Sequence, residues 1–208
     1  MCKKIILGIC LALFFTKTDA QDCFKDCMER MTEATNKGIT DREKVEISMK
    51  ANMEIVKAII GCKFPATLLK AINGKTITVN DFKGKPVFVK FWFASCPPCI
   101  PEIEPINKLV KEFGDTVKFL SISTDDETTL KEFLSDKKFN TLHAYFDRDK
   151  AAKEFCAIGG YPFNLILDQS GIVKDVWSGG NSYPDKQAEF YERVKKNLKE
   201  LVEKEKKK

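Results

Sequence analysis

Between Gln21 and Ile60 the apolar residues recur at helical spacing. Phe24, Cys27, Met28, Met31 and Ala34 fall on one face, and Val45, Met49, Met53, Val56, Ile59 and Ile60 fall on a second. Asn36–Gly38 reads as a stop between them. Thr40 and Glu43 form a capping box for the second helix, which Gly61 closes. The pattern predicts a helical hairpin over 21–60. Its apolar surface is too small to stand alone, so it should pack on the domain that begins near Gly61.

From Cys62 the period shortens. Asn73-Gly74 is a hairpin turn signal between short strands. Pro86 to Phe93 is a near-continuous run of β-branched and aromatic residues, as expected of a strand buried on both faces. Pro97 to Phe113 returns to helical spacing through Ile100, Ile103, Ile106 and Val110. Further strands are predicted at Val117–Ser123, Leu142–Phe146, Phe163–Asp168 and Gly171–Trp177. Further helices are predicted at Glu127–Lys138, Lys150–Phe155 and Pro184–Glu203. A β-hairpin followed by β-α-β-α-β-α-β-β-α implies an α/β fold, a mixed sheet with helices on both faces.

Charge and the N-terminus refine this picture. Of the formal net charge of +5, residues 1–20 carry +2 and Lys204–Lys208 carry +3, so the body is neutral. A neutral body with a basic tail is a poor nucleic-acid candidate, and no nucleic-acid partner is expected. Lys3 and Lys4, the apolar run Ile5–Phe15 and the small residues Thr18 and Ala20 form an export signal over 1–20. The run is short for a bilayer, so membrane attachment is expected only if the signal stays uncleaved. The expected location is the periplasm or cell envelope, with a hairpin at 21–60 and a main domain at 61–208.

Export leaves six cysteines: Cys23, Cys27, Cys62, Cys96, Cys99 and Cys156. Cys96 and Cys99 frame "CPPC" after the buried strand. A thiol at a strand-to-helix junction faces free backbone N–H groups and the positive end of the helix, which favour thiolate. Cys99, one turn on, should be more buried and less acidic. That asymmetry suits Cys96 to attack a disulfide and Cys99 to resolve the mixed disulfide.

"FWFASCPPCIPEI" resembles the active site of the thioredoxin superfamily, in its exported TlpA/ResA-like branch. Gly159-Gly160-Tyr161-Pro162 before "FNLILD" resembles that family's cis-proline loop, and the likeness spans Gly61–Glu203. The resemblance implies a thioredoxin-like fold with no dissociable cofactor and no metal. It implies that Pro162 is cis and faces Cys96, that the Tyr161 backbone binds substrate, and that Glu102 tunes the thiols. Lys90 departs from thioredoxins proper, which carry a buried acid there. It either pairs with Glu102 or threads its ammonium out to solvent. Ser95 departs too, where many relatives have tryptophan, so partner identity does not carry over.

Cys23, Cys27, Cys62 and Cys156 are structural disulfide candidates of open connectivity. Straight helices would not pair Cys23 with Cys62 without a bend. The competing use of Cys23 and Cys27, with Met28 and Met31, is Cu(I) binding. His143, the only histidine, reads as structural, and its isolation removes most His-based metal chemistry. The expected function is a thiol–disulfide oxidoreductase acting on protein thiols and disulfides, reducing rather than oxidising, with a separate electron-transfer partner. The alternatives are a copper-binding or peroxide-reducing thioredoxin-fold protein. Phe93 stands where a peroxidase would carry threonine or serine.

Overall fold

Every residue of strand β3, Val87–Trp92, is buried. That is the expected behaviour of a chain segment with apolar side chains on both sides of its pleat. The computed structural model describes residues 20–35, 53–54, 56–155, 160–180 and 183–206. Residues 1–19 of the expected export signal at 1–20, most of the expected second hairpin helix and Cys156 lie outside the described residues.

The strands are β1 (Leu69–Ala71), β2 (Thr76–Ile77), β3, β4 (Lys118–Ser123), β5 (Leu142–Tyr145), β6 (Phe163–Leu167) and β7 (Val173–Ser178). They form one mixed sheet in the order β2-β1-β5-β4-β3-β6-β7. β3 pairs parallel to β4 and antiparallel to β6. The helices are α1 (Ala20–Thr35), α2 (Ile103–Phe113), α3 (Glu127–Asp136), α4 (Arg148–Phe155) and α5 (Pro184–Lys206). This is the thioredoxin-like fold, with its β1–β2 hairpin turning at Asn73-Gly74 as expected.

The strand period of two splits the core. Val87, Val89 and Phe91 face one layer with Phe24, Phe64 and Phe155. Phe88 and Trp92 face the other, with Ile106, Leu109, Val194 and Leu198. The first layer is an aromatic stack: Phe64 lies on Phe155 at 5.1 Å, and Phe24 meets Phe64 edge-on at 5.8 Å. α1 thereby packs against α4, so the N-terminal helix is covered by the main domain.

Cys23 bonds to Cys62, with Cα atoms 6.1 Å apart. Straight-helix geometry argued against this pairing. It forms because the chain leaves its helix before Cys62. Ile59 and Ile60 are in turns, Gly61 takes φ +91°, and Gly61 N–H donates to Val173 while Cys62 accepts from Val173 N–H. Cys27, fully buried, is also disulfide-bonded. With both sulfurs in disulfides, Cys23 and Cys27 present no thiolates to copper.

Candidate active site

The cystine sits differently from the sequence expectation. β3 ends at Trp92, and the α-helix starts only at Ile103. Between them the backbone runs in tight three-residue steps: Cys96 N–H to Phe93, Cys99 N–H to Cys96, and Glu102 N–H to Cys99. Pro97, Pro98 and Pro101 lack the N–H groups an α-helix would use, so a 3₁₀ segment, Ile100–Glu102, leads into α2. The α-helix therefore begins at Ile103 and not directly after Cys96. The expected difference in burial is also missing. In the disulfide form Cys96 is 1% and Cys99 0% exposed, with Cα atoms 5.3 Å apart.

Asp125 holds the entry to this loop. Its carboxylate accepts from Ala94 N–H at 2.6 Å and from the Ser123 hydroxyl at 2.8 Å. Nothing in the cysteine motif announced it.

On the cystine side of β3 the alternation brings in Lys90, with no exposed surface. Its ammonium donates to Glu102 Oε2, and Glu102 is 3% exposed. The lysine therefore pairs with Glu102 and does not thread out to solvent. Asn164, opposite Lys90 on β6, donates its amide to the same carboxylate at 3.3 Å. Burial pushes the Glu102 carboxyl above the usual range, and Lys90 and then Asn164 pull it part of the way back. Burial pushes the Lys90 ammonium down, and Glu102 partly restores it. The pair can pass one proton from nitrogen to oxygen without exchange with water. A cleft of about 270 Å³, lined by Glu102, Trp177, Gly180, Lys186, Phe190 and Arg193 among others, runs from the carboxylate between the β7 loop and α5.

The Tyr161–Pro162 bond is cis. Gly179 N–H donates to Pro162 at 2.9 Å. A β-carbon on Gly180 would lie 2.9 Å from Pro162 Cγ and 3.1 Å from Glu102 Oε1, and would also press on the Pro98 carbonyl. Backbone at Gly180 thus closes a corner shared by the cysteine loop, the cis-proline and the buried carboxylate. Tyr161 meets Phe93 edge-on at 5.5 Å. Arg148, from α4, lies 4.9 Å over Phe93 and 5.9 Å over Tyr161. Arg148, Asn164 and Gly180 were not found from the sequence. Only the strand period could have pointed to Asn164, two residues past Pro162.

His143 is structural, as expected. Its Nε2 donates to the Phe139 carbonyl at 2.8 Å, and burial holds its pKa below 6.5. Trp92 is core, edge-on to Phe133 and Phe139.

A cystine of CxxC spacing past the central strand, a cis-proline before the neighbouring antiparallel strand and a mixed sheet between helices define the thioredoxin-like class. The chain belongs to the AhpC/TSA family, which matches residues 60–178. It is 30% identical over 129 residues to a thiol:disulfide interchange protein DsbE of Pseudomonas fluorescens, covering 61% of this chain and 70% of the relative. It is 29% identical over 122 residues to the thioredoxin-like protein YneN of Bacillus subtilis, covering 57% and 71%. It is 29% identical over 121 residues to the thiol-disulfide oxidoreductase ResA of Bacillus cereus, covering 56% and 68%. A thiol:disulfide interchange protein from a Bacteroides species superposes with a TM-score of 0.57 at 26% identity, over 67% of this chain and 90% of that one. The thioredoxin domain of a Bacteroides vulgatus thiol-disulfide oxidoreductase superposes at 0.55 and 26%, over 67% and 97%. The chain is accordingly a thiol–disulfide oxidoreductase of thioredoxin fold.

Proposed function

We propose that Cys96 and Cys99 are the exchange centre, and that the protein reduces protein disulfides outside the cytoplasm. The Cys96 thiolate attacks one sulfur of a substrate disulfide, and one substrate thiolate leaves. Cys99 gives its proton to Glu102 and displaces the second substrate thiolate, which closes the Cys96–Cys99 bond. Two electrons pass to the substrate, and the dithiol of an electron-donating partner restores the centre. Backbone at Tyr161 and Pro162 aligns the substrate chain.

The observation that carries this reading is the Lys90–Glu102 pair buried on the cystine side of the sheet. A charge pair buried on this side of the sheet can take up the proton that resolution releases. Export is supported by the signal pattern at the N-terminus and by four further cysteines after it, of which Cys23, Cys27 and Cys62 are oxidised. Among the described residues no helix is long and apolar enough to cross a membrane.

The test is the reduction potential of Cys96–Cys99, by thiol trapping across defined redox buffers. A value near or below about −250 mV supports a reductant, and one near about −120 mV makes the protein an oxidant instead. Absence of reversible exchange overturns the reading.

A further inference from the structure

Among the described residues, Arg148 is the charged side chain stacked on the aromatic rim of the cystine. Its guanidinium covers the rings of Phe93 and Tyr161 at 4.9 and 5.9 Å. Each ring is tied to the chemistry through the backbone. The Phe93 carbonyl accepts from Cys96 N–H at 3.1 Å, and Tyr161 immediately precedes the cis-proline. The rings themselves meet at 5.5 Å, so cation and rings form one unit.

The guanidinium has charge to offer. Arg148 is exposed, and among the described residues no carboxylate is paired with it. Two acids of the same segment bond elsewhere. Asp147 accepts from Lys150 N–H at 3.0 Å, and Glu154 accepts from the Thr67 hydroxyl at 3.1 Å. Stacking holds a planar fork with less rotamer freedom to lose on binding than a free lysine would have. Its donors can then meet a carboxylate edge-on while its face stays on the rings.

We propose that Arg148 selects substrates, favouring peptide or protein disulfides with an acidic side chain beside the reacting cysteine. This rests on the assignment of Cys96–Cys99 as the exchange centre. A substrate strand laid along Tyr161–Pro162 carries the residues flanking its cysteine across this rim. A carboxylate there gains a charge-assisted hydrogen bond, and an ammonium there meets a like charge.

The test uses the reduced full-length protein and three synthetic peptide disulfides, each a homodimer through one cysteine. They differ only in the neighbouring residue: Glu, Gln or Lys. Reduction of each consumes one Cys96/Cys99 dithiol and releases two peptide thiols, counted by chromatography. The Glu peptide is expected to react about tenfold faster than the Lys peptide at low salt, with the difference in KM, and to lose that lead in high salt. Arg148→Gln should bring the three rates to within about twofold, and Arg148→Lys should restore the preference in part. Lys199→Gln changes net charge equally on α5 and should leave the preference intact. Three rates that are equal in the wild type overturn the inference and leave the exchange centre standing. So does a preference that survives Arg148→Gln, or one that Lys199→Gln removes as well. No reduction of any peptide overturns both.

Discussion

Lys90 on β3 and Glu102 at the entry to α2 pair in the buried layer beneath the cystine, the lysine with no exposed surface and the glutamate at the foot of a cleft. Twelve residues separate them in the chain, and the cystine lies between. The pair is the electrostatic floor of the site, so its loss should be felt in both stability and chemistry.

Lys90→Met leaves Glu102 buried with only Asn164 as partner. Breaking such a pair costs about 3–5 kcal/mol. The sign with pH is fixed by the remaining acid. Without Lys90 to pull it down, the Glu102 carboxyl rises further above its ordinary 4.5 in the folded state. The folded protein then binds the extra proton more tightly than the unfolded chain. The cost is greatest above the folded pKa and shrinks as pH falls toward the ordinary carboxylate range. Lys90→Met with Glu102→Gln should regain most of the loss at neutral pH. Urea unfolding of the oxidised proteins from pH 5 to 8 checks this. Thiol titration of the reduced single variants checks the chemistry: unchanged Cys96 and Cys99 pKa values in Lys90→Met would remove the pair from the mechanism.

Gly180→Ala tests the close approach of the β7 loop. The new methyl must displace the Pro98 carbonyl, its nearest neighbour, and Pro162 Cγ at 2.9 Å, and it crowds Glu102 Oε1 at 3.1 Å. Such overpacking costs about 1–3 kcal/mol. The exchange rate should fall about tenfold, by the ångström-scale misplacement of reacting groups. A variant with full activity would place the loop outside the reacting geometry.

The Cys23–Cys62 bond closes a loop of 39 residues. On chain entropy alone, replacing both by serine should cost about 4 kcal/mol. Cys27 is bonded as well. With four cysteines of the described residues already paired, Cys2, Cys10 and Cys156 remain for it, and Cys156 follows α4, on which α1 packs. Peptide mapping without reductant should recover a Cys27–Cys156 peptide. A Cys27 peptide joined to Cys2 or Cys10 instead would show that the N-terminal segment is retained.

His143 should make the fold acid-sensitive. Burial lowers its pKa below 6.5 in the folded state, so the folded form stays neutral while the unfolded chain takes up a proton. Its contribution is complete above about pH 6.5 and is lost as pH falls through the unfolded value to the folded one. In His143→Gln this part of the slope between pH 7 and 5 should vanish, as read by thermal unfolding.

Much of the fold was legible because β3 is a long apolar run with polar turns on either side, and because the β1–β2 turn carries Asn-Gly. The cysteines, Glu102 and Pro162 could be found from the motif. The start of α2 could not, since proline is welcome in a first α-helical turn and also in the 3₁₀ steps that replaced it. The Cys23–Cys62 bond was obscured because spacing along ideal helices says nothing of where a helix ends. Arg148 and Gly180 come from distant segments, and only tertiary packing brings them to the cystine.

The pairing of β3 with β6 sets Lys90 opposite Asn164 and Phe91 opposite Phe163. A strand slipped by one residue would set Lys90 against Phe163 or Leu165 and turn the ammonium into the opposite, wholly apolar layer. The lysine is thus an alignment mark for the sheet itself. An apolar residue there would tolerate several registers, whereas a buried cation accepts the one that also delivers the proline loop to the cysteines.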